Sequence, residues 1–205
     1  MILFCTPHIA GSTKPTYTTT MEKPAQEIDA IVRMLTSAAS PDIQKAAIQR
    51  FYTSDAGFRH PLCYIPSAYN SREDILGVYQ WYRIMSPHIE LAVHDVVYSP
   101  EHKKLFLDIT QKFHIRWNPF PPAPAKLFVH LTLREENGLF YIAFQEDFYR
   151  PDDMLALLVP PLAGPVRMGL RAAAVASNLA AHIGQLVFGV WLPHKAGGSG
   201  TPVDT

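Results

Sequence analysis

The hydrophobic pattern of this chain changes from a largely helical to a strand period at Pro87, and that switch restricts the folds open to it. Before it, apolar residues recur every three or four positions: Ile28, Ile31, Val32 and Leu35, then Ile43, Ala46, Ala47 and Phe51, then Ile75, Val78, Tyr79, Tyr82 and Met85. Residues at that spacing share one face of a helix, so three amphipathic helices are predicted. After Pro87 the pattern alternates. Ile89, Leu91, Val93 and Val97 face one way, against Glu90 and His94. Leu107, Ile109, Phe113 and Ile115 oppose Asp108, Thr110, Lys112 and His114 in a strand from Leu105 to Trp117. Two more strands follow, Lys126 to Arg134 and Leu139 to Tyr149, joined by the turn Glu135-Glu-Asn-Gly138. Helices followed by a meander of long antiparallel strands predict an α+β fold, with the helices packed on one face of a curved sheet.

Local signals set the boundaries. Ser40-Pro41-Asp42 reads as N-cap, first helical residue and dipole-complementing acid. Ser71-Arg-Glu-Asp74 reads as a variant capping box. Asp55-Ala-Gly57 is expected to end the second helix, with a strand from Phe58 to Ile65. The proline-dense segment from Asn118 to Pro124 cannot be a central strand.

The chain has 205 residues and equal numbers of basic and acidic side chains, 18 each. That length suits one domain and an appendage, with a core that needs no disulfide staples. The expected divisions are a loosely ordered N-terminus over 1–21, a domain over 22–150, a helical appendage over 151–194 and a tail over 195–205. No basic stripe offers itself to phosphates, so nucleic acid is not an expected partner. Met1-Ile-Leu-Phe-Cys5 is short and lacks a basic flank, so it is not read as a signal peptide. Cys5 and Cys63 have no metal-like spacing, and a reducing, cytoplasmic setting is the default reading. Neither a phosphate-binding glycine loop nor a Gly-x-Ser-x-Gly elbow occurs. His88 and His94 match no known ligand spacing, so no metal and no organic cofactor are expected.

Asp55-Ala-Gly-Phe-Arg-His60-Pro61 places an imidazole, which titrates near neutral pH, at the start of a strand. This turn, the Val93-His-Asp-Val-Val-Tyr98 strand and the Glu136-Asn-Gly-Leu-Phe-Tyr141 hairpin, in that order, resemble the cone-shaped NTF2-like superfamily. The resemblance runs from about Glu27 to Tyr149 and points to SnoaL-like and ketosteroid-isomerase-like members. Fungal SigF-like members, which carry a similar C-terminal extension, look closer still. It implies that His60 occupies the position of a general base facing the cone, where relatives more often have aspartate. It implies likewise that His130 stands where relatives place an oxyanion-stabilising acid.

The plainer reading of both histidines is a strand imidazole satisfying a nearby polar group. Asp108 and His114 share a strand face that lines a pocket or faces water. Glu146 and Asp147 point to opposite faces, so at most one enters a pocket, where a carboxylate would orient and activate His60. Phe58, Tyr64, Tyr79, Trp81 and Tyr82 are candidates for an aromatic wall suited to a flat, apolar substrate. The enzyme reading is a cofactor-independent isomerase, cyclase or dehydratase working by proton transfer on a polyketide-, terpenoid- or steroid-like compound. His60 would be its base and His130 its electrophile, with Asp108 and Asp147 as accessory acids. The other reading is a non-catalytic binding module, its cone plugged by residues such as Phe58 or Trp81.

After Tyr149 the composition turns apolar. A short helix is expected from Met154 to Val159, broken by Pro160-Pro161, then a long Ala-rich one from Val166 to Trp191. Arg167, Arg171, Asn178, His182 and Gln185 fall on one face of it. Such a stripe suits a helix lying on a membrane surface, or one packed on the domain or on a second subunit of a homodimer. A spanning helix is the third alternative.

Overall fold

The computed structural model describes residues 20–192. The segment over 1–19, with Cys5, and the expected tail over 195–205 lie outside them. The elements run α1 (Pro24–Thr36), α2 (Pro41–Phe51), β1 (Tyr52–His60), β2 (Cys63–Ile65), α3 (Arg72–Met85), β3 (Ile89–Ser99), β4 (Lys104–Phe113), β5 (Ala125–Glu136), β6 (Leu139–Tyr149), α4 (Pro151–Leu158) and α5 (Pro160–Phe188). The six strands form one mixed sheet in the order β2-β1-β6-β5-β4-β3. Each helix buries one apolar face: Ile28, Ile31, Val32 and Leu35 of α1, Ala47, Ile48 and Phe51 of α2, Ile75, Leu76 and Tyr79 of α3; of the predicted stripes, Ala46 is exposed and Ile43, Val78, Tyr82 and Met85 are half-buried. The buried faces close over Leu105, Leu107, Ile109, Leu127, Val129, Leu131 and Ile142 of the sheet. This core reaches back to Met21, inside the segment expected to be loose.

Several local expectations are corrected. Asp55-Ala-Gly57 does not end α2. Helix passes into strand at Tyr52, and the motif lies within β1. The reason is the pairing of β1 with β6, which is parallel and shifts register between Tyr52 and Gly57. A glycine suits that irregularity, because a Cβ at position 57 would press into the Phe144 ring and within 2.7 Å of Ser67 Oγ. Ser40 caps α2 as read, accepting from the Ile43 N–H at 3.3 Å. Ser71 makes no cap; its hydroxyl donates instead to the Ala56 carbonyl at 2.7 Å, tying α3 to β1.

In β3 a bulge at His94 reverses the alternation. Val96 and Tyr98 pack against the core and Val97 turns outward, opposite to the reading for Val97. β4 ends at Phe113, short of Trp117. α4 ends at Leu158, just before Pro160-Pro161 as expected, but the two prolines also open α5, which therefore runs from Pro160 to Phe188 and not from Val166 to Trp191; at a helix start their missing N–H groups cost nothing.

α4 packs on the end of the sheet, with Leu157 against Ile89, Phe113 and Ala125. α5 is different. Only Ala163 of its residues is buried, and Met168, Leu170, Val175, Leu179, Ile183, Leu186, Val187 and Phe188 are exposed. Among the described residues, no helix is long and apolar enough to cross a membrane.

Candidate functional site

The inward face of the sheet carries apolar residues at nearly every alternate position, and the exceptions converge. Gln111 of β4 and Gln145, Asp147 and Tyr149 of β6 point inward, together with His60 at the end of β1 and Tyr52 at its start. Tyr79 and Tyr82 reach them from α3. All eight line one internal cavity of about 70 Å³, room for several water molecules at about 10–15 Å³ each. The rest of its wall is largely aliphatic, including Ile28, Val32, Leu107, Ile109 and Val129. Leu62, Met154 and Leu158 complete the wall.

Asp147 is the carboxyl group of this cavity. Its carboxyl accepts from Gln145 Nε2 at 2.8 Å. No cation pairs with it among the described residues. Burial pushes its pKa up to about 7, the Gln145 hydrogen bond offsetting only part of that. Gln145 is the hub behind it, its Oε1 accepting from the hydroxyls of Tyr79, at 3.1 Å, and Tyr52. Gln111 Nε2 donates to the Tyr149 hydroxyl. Burial pushes the phenols of Tyr52, Tyr79, Tyr82 and Tyr149 up, so they are neutral donors. The buried Tyr82 hydroxyl has no hydrogen-bond partner.

His60 is 8% exposed, and burial lowers its pKa to about 4. Its ring is therefore neutral near pH 7. Nδ1 accepts from the Leu62 N–H at 3.2 Å, within the turn made by Pro61. A neutral imidazole accepts at one nitrogen and donates at the other, so this bond assigns the proton to Nε2. Phe58, fully buried, lies parallel to the ring at 6.3 Å, and Tyr82 and Tyr149 flank it at 5.9 and 5.3 Å.

The remaining sequence candidates fall elsewhere. His130 is on the opposite face of the sheet from His60. Its Nδ1 meets Glu146 Oε2 at 3.0 Å and its ring stacks on Phe106 at 4.6 Å, so the expected pairing of the two histidines across one cavity does not form. Parity explains this: His130 alternates with inward Val129 and Leu131, and Glu146 with inward Gln145 and Asp147. Asp108 is on that outer face too, 4.0 Å from Lys126 Nζ. His114 lies past the end of β4 and contacts Glu90. Tyr64 is exposed beneath Arg59, and Trp81 is exposed beside Trp117, so neither lines nor plugs the cavity. Asp55 forms a two-pronged pair with Arg134 at 2.9 and 3.1 Å, and those hydrogen bonds hold its pKa down to about 2.

Gln111, Gln145 and Tyr149 were absent from the expected site. The glutamines carried a signal: each interrupts the apolar set of an alternating strand, Gln111 between Ile109 and Phe113 and Gln145 at the inward parity of Asp147.

The SigF NTF2-like domain matches residues 21–190 of the chain. The protein belongs to that family. The match takes in α4 and α5, so the appendage is part of the family's domain. Among solved structures, an NTF2-like protein from Anabaena variabilis is 10% identical, with a TM-score of 0.50 over 67% of this chain and 97% of that one. A protein from Catenulispora acidiphila with a ketosteroid-isomerase-like fold, in complex with trimethylamine, is 17% identical, with a TM-score of 0.48 over 62% and 90%. AclR, a putative hydroxylase from Streptomyces galilaeus, is 14% identical, with a TM-score of 0.45 over 64% and 94%. At these identities the likeness is one of fold. No curated protein matches.

Proposed function

We propose that the cavity binds a small apolar carbonyl compound and moves a proton on it, with Asp147 as the base and acid and the Nε2–H of His60 as the donor to the developing oxyanion. The observation that carries this reading is a buried carboxyl without a cation partner, brought to about pH 7 by burial, on the wall of an apolar cavity. A catalytic base works best when its pKa lies near the working pH. The His60 tautomer supports the division of labour. Its Nδ1 lone pair is occupied by Leu62, so the ring offers a hydrogen and not a base. A neutral donor held on a buried wall stabilises enolate charge as it develops. The unpartnered Tyr82 hydroxyl supplies a further polar contact for a ligand.

Solvent exchange tests this without knowledge of the natural substrate. A panel of small cyclic ketones incubated in D₂O with the protein should gain deuterium next to the carbonyl, read by NMR. Asp147→Asn should slow exchange by about 100-fold or more, the usual scale for general acid–base groups, and His60→Phe by less. Exchange that is absent across the panel, or unchanged in Asp147→Asn, defeats the proposal and leaves a binding module.

A second reading concerns α5, and its exposure favours it. We propose that this helix lies on an anionic membrane surface. Residues 160–192 contain no acidic side chain, while Arg167, Arg171 and His182 share one polar arc of an otherwise apolar helix. The full chain should sediment with vesicles rich in anionic lipid and much less with zwitterionic ones, and a chain ending at Pro165 should stay in the supernatant. Equal recovery of the two chains would refute surface binding, as would a stable dimer of the full chain that ignores lipid.

A further inference from the structure

We infer that His88, Glu90 and His114 form a surface site for a divalent transition-metal ion of the Zn²⁺ class, stapling the edge strand of the sheet to its neighbour. β3 and β4 pair antiparallel with Ile89 opposite Phe113 and Glu90 opposite Lys112. The ladder extends one residue further through the His114 N–H, which donates to the His88 carbonyl at 3.2 Å. The same carbonyl accepts from the hydroxyl of fully buried Ser86 at 2.6 Å, so the backbone carrying His88 is held from both sides. His88 and His114 are thus cross-strand partners, and Glu90 shares their outer face two residues along.

The donor atoms already converge. Glu90 Oε1 is 2.6 Å from His114 Nε2 and 3.9 Å from His88 Nε2, and the three donors lie within 4.8 Å of one another. Four-coordinate zinc with bonds of about 2.0–2.1 Å needs its ligand atoms about 3.3–3.5 Å apart, between the two distances seen. The imidazoles meet edge to face, with centroids 4.7 Å apart, and do not stack. Two imidazoles and one carboxylate, with the remaining position open to water, suit zinc in ligand type and number. Lys112 Nζ is the competitor, holding Glu90 Oε2 at 3.2 Å.

The site has a place in the fold. Ile89, between His88 and Glu90, and Phe113, between Lys112 and His114, both line the internal cavity and pack with Leu157 of α4. A metal on the outer face would pin the strand pair that forms this part of the cavity wall. Sequence spacing could not show it, because the third ligand comes from the neighbouring strand.

Titration of the purified chain with Co²⁺, followed by its visible d–d absorption, and with Zn²⁺ by calorimetry tests the proposal. One equivalent should bind. His88→Ala and His114→Ala, both at surface positions, should each weaken that binding at least about ten-fold. Lys112→Met should tighten it several-fold by freeing Glu90, an effect that general damage to the fold would not produce. The thermal midpoint should rise with Zn²⁺ in the wild type and not in the His88→Ala/His114→Ala double variant. No saturable binding, or binding that survives unchanged in the double variant, overturns the inference.

Discussion

Replacing Asp147 with asparagine should stabilise the protein at neutral and alkaline pH and turn a nearly flat pH dependence of its stability below about pH 6.5 into a rise. The folded-state pKa of Asp147, about 7, lies well above the ordinary aspartate value of 3.8. Between those values the folded chain holds a proton that the unfolded chain has released, so this group makes stability fall as pH rises from about 4 to about 7. The whole loss is on the order of 4–5 kcal/mol, at roughly 1.4 kcal/mol per pKa unit. His60 acts in the other direction. Its folded pKa, about 4, lies below the ordinary value of 6.5, so between those pH values the unfolded chain binds the extra proton and stability rises with pH. In the wild type the two nearly cancel from about pH 4 to 6.5, and a decline remains towards pH 7. Asp147→Asn removes one side of that balance, and urea midpoints should then climb with pH over the same interval. His60→Phe removes the other side, and they should fall. Parallel curves for Asp147→Asn and wild type from pH 4 to 8 would show that the carboxyl is not buried as described.

Gln145→Leu should be the most damaging single change near the cavity. The substitution keeps the approximate volume and removes the acceptor used by Tyr52 and Tyr79 and the donor used by Asp147. The two phenols are 3.3 Å apart, so one can still donate to the other. One buried hydroxyl and one buried carboxyl then lose a partner. A loss of about 2–4 kcal/mol follows from the cost of orphaning buried polar groups. The Asp147 pKa should also rise further, because the Gln145 hydrogen bond is what lowers it. The pH-dependent decline would then extend above 7. Gln145→Glu does not imitate this, since it adds a second acid beside the first. An unchanged urea midpoint in Gln145→Leu would mean that the hub carries no weight.

Much of this site could be read from alternation. Parity within β6 places Asp147 and Glu146 on opposite faces whatever the fold, and parity within β5 does the same for His130 and Leu131. Which face becomes the interior is another matter. It depends on where the helices land, and that decided against His130 and for Asp147. The bulge in β3 defeats parity outright, because one extra residue turns Val97 outward. His60 was legible as a titratable group before a proline, but its role was not. Its tautomer rests on the Leu62 N–H and its neutral state on burial beneath Tyr82 and Tyr149, side chains far away in sequence.

By itself, then, the sequence determined what depends on near neighbours along the chain: three amphipathic helices, alternating strands, the Ser40 cap and an apolar helix without acids at the end. Tertiary structure alone decided what depends on contacts across the chain. These are the parallel pairing of β1 with β6, the Gln145 hub, the single polar wall inside the cavity and the meeting of His88 with His114. The physical reason is that periodicity is a local steric property, whereas desolvation and hydrogen-bond partnership are set by residues that only folding brings together.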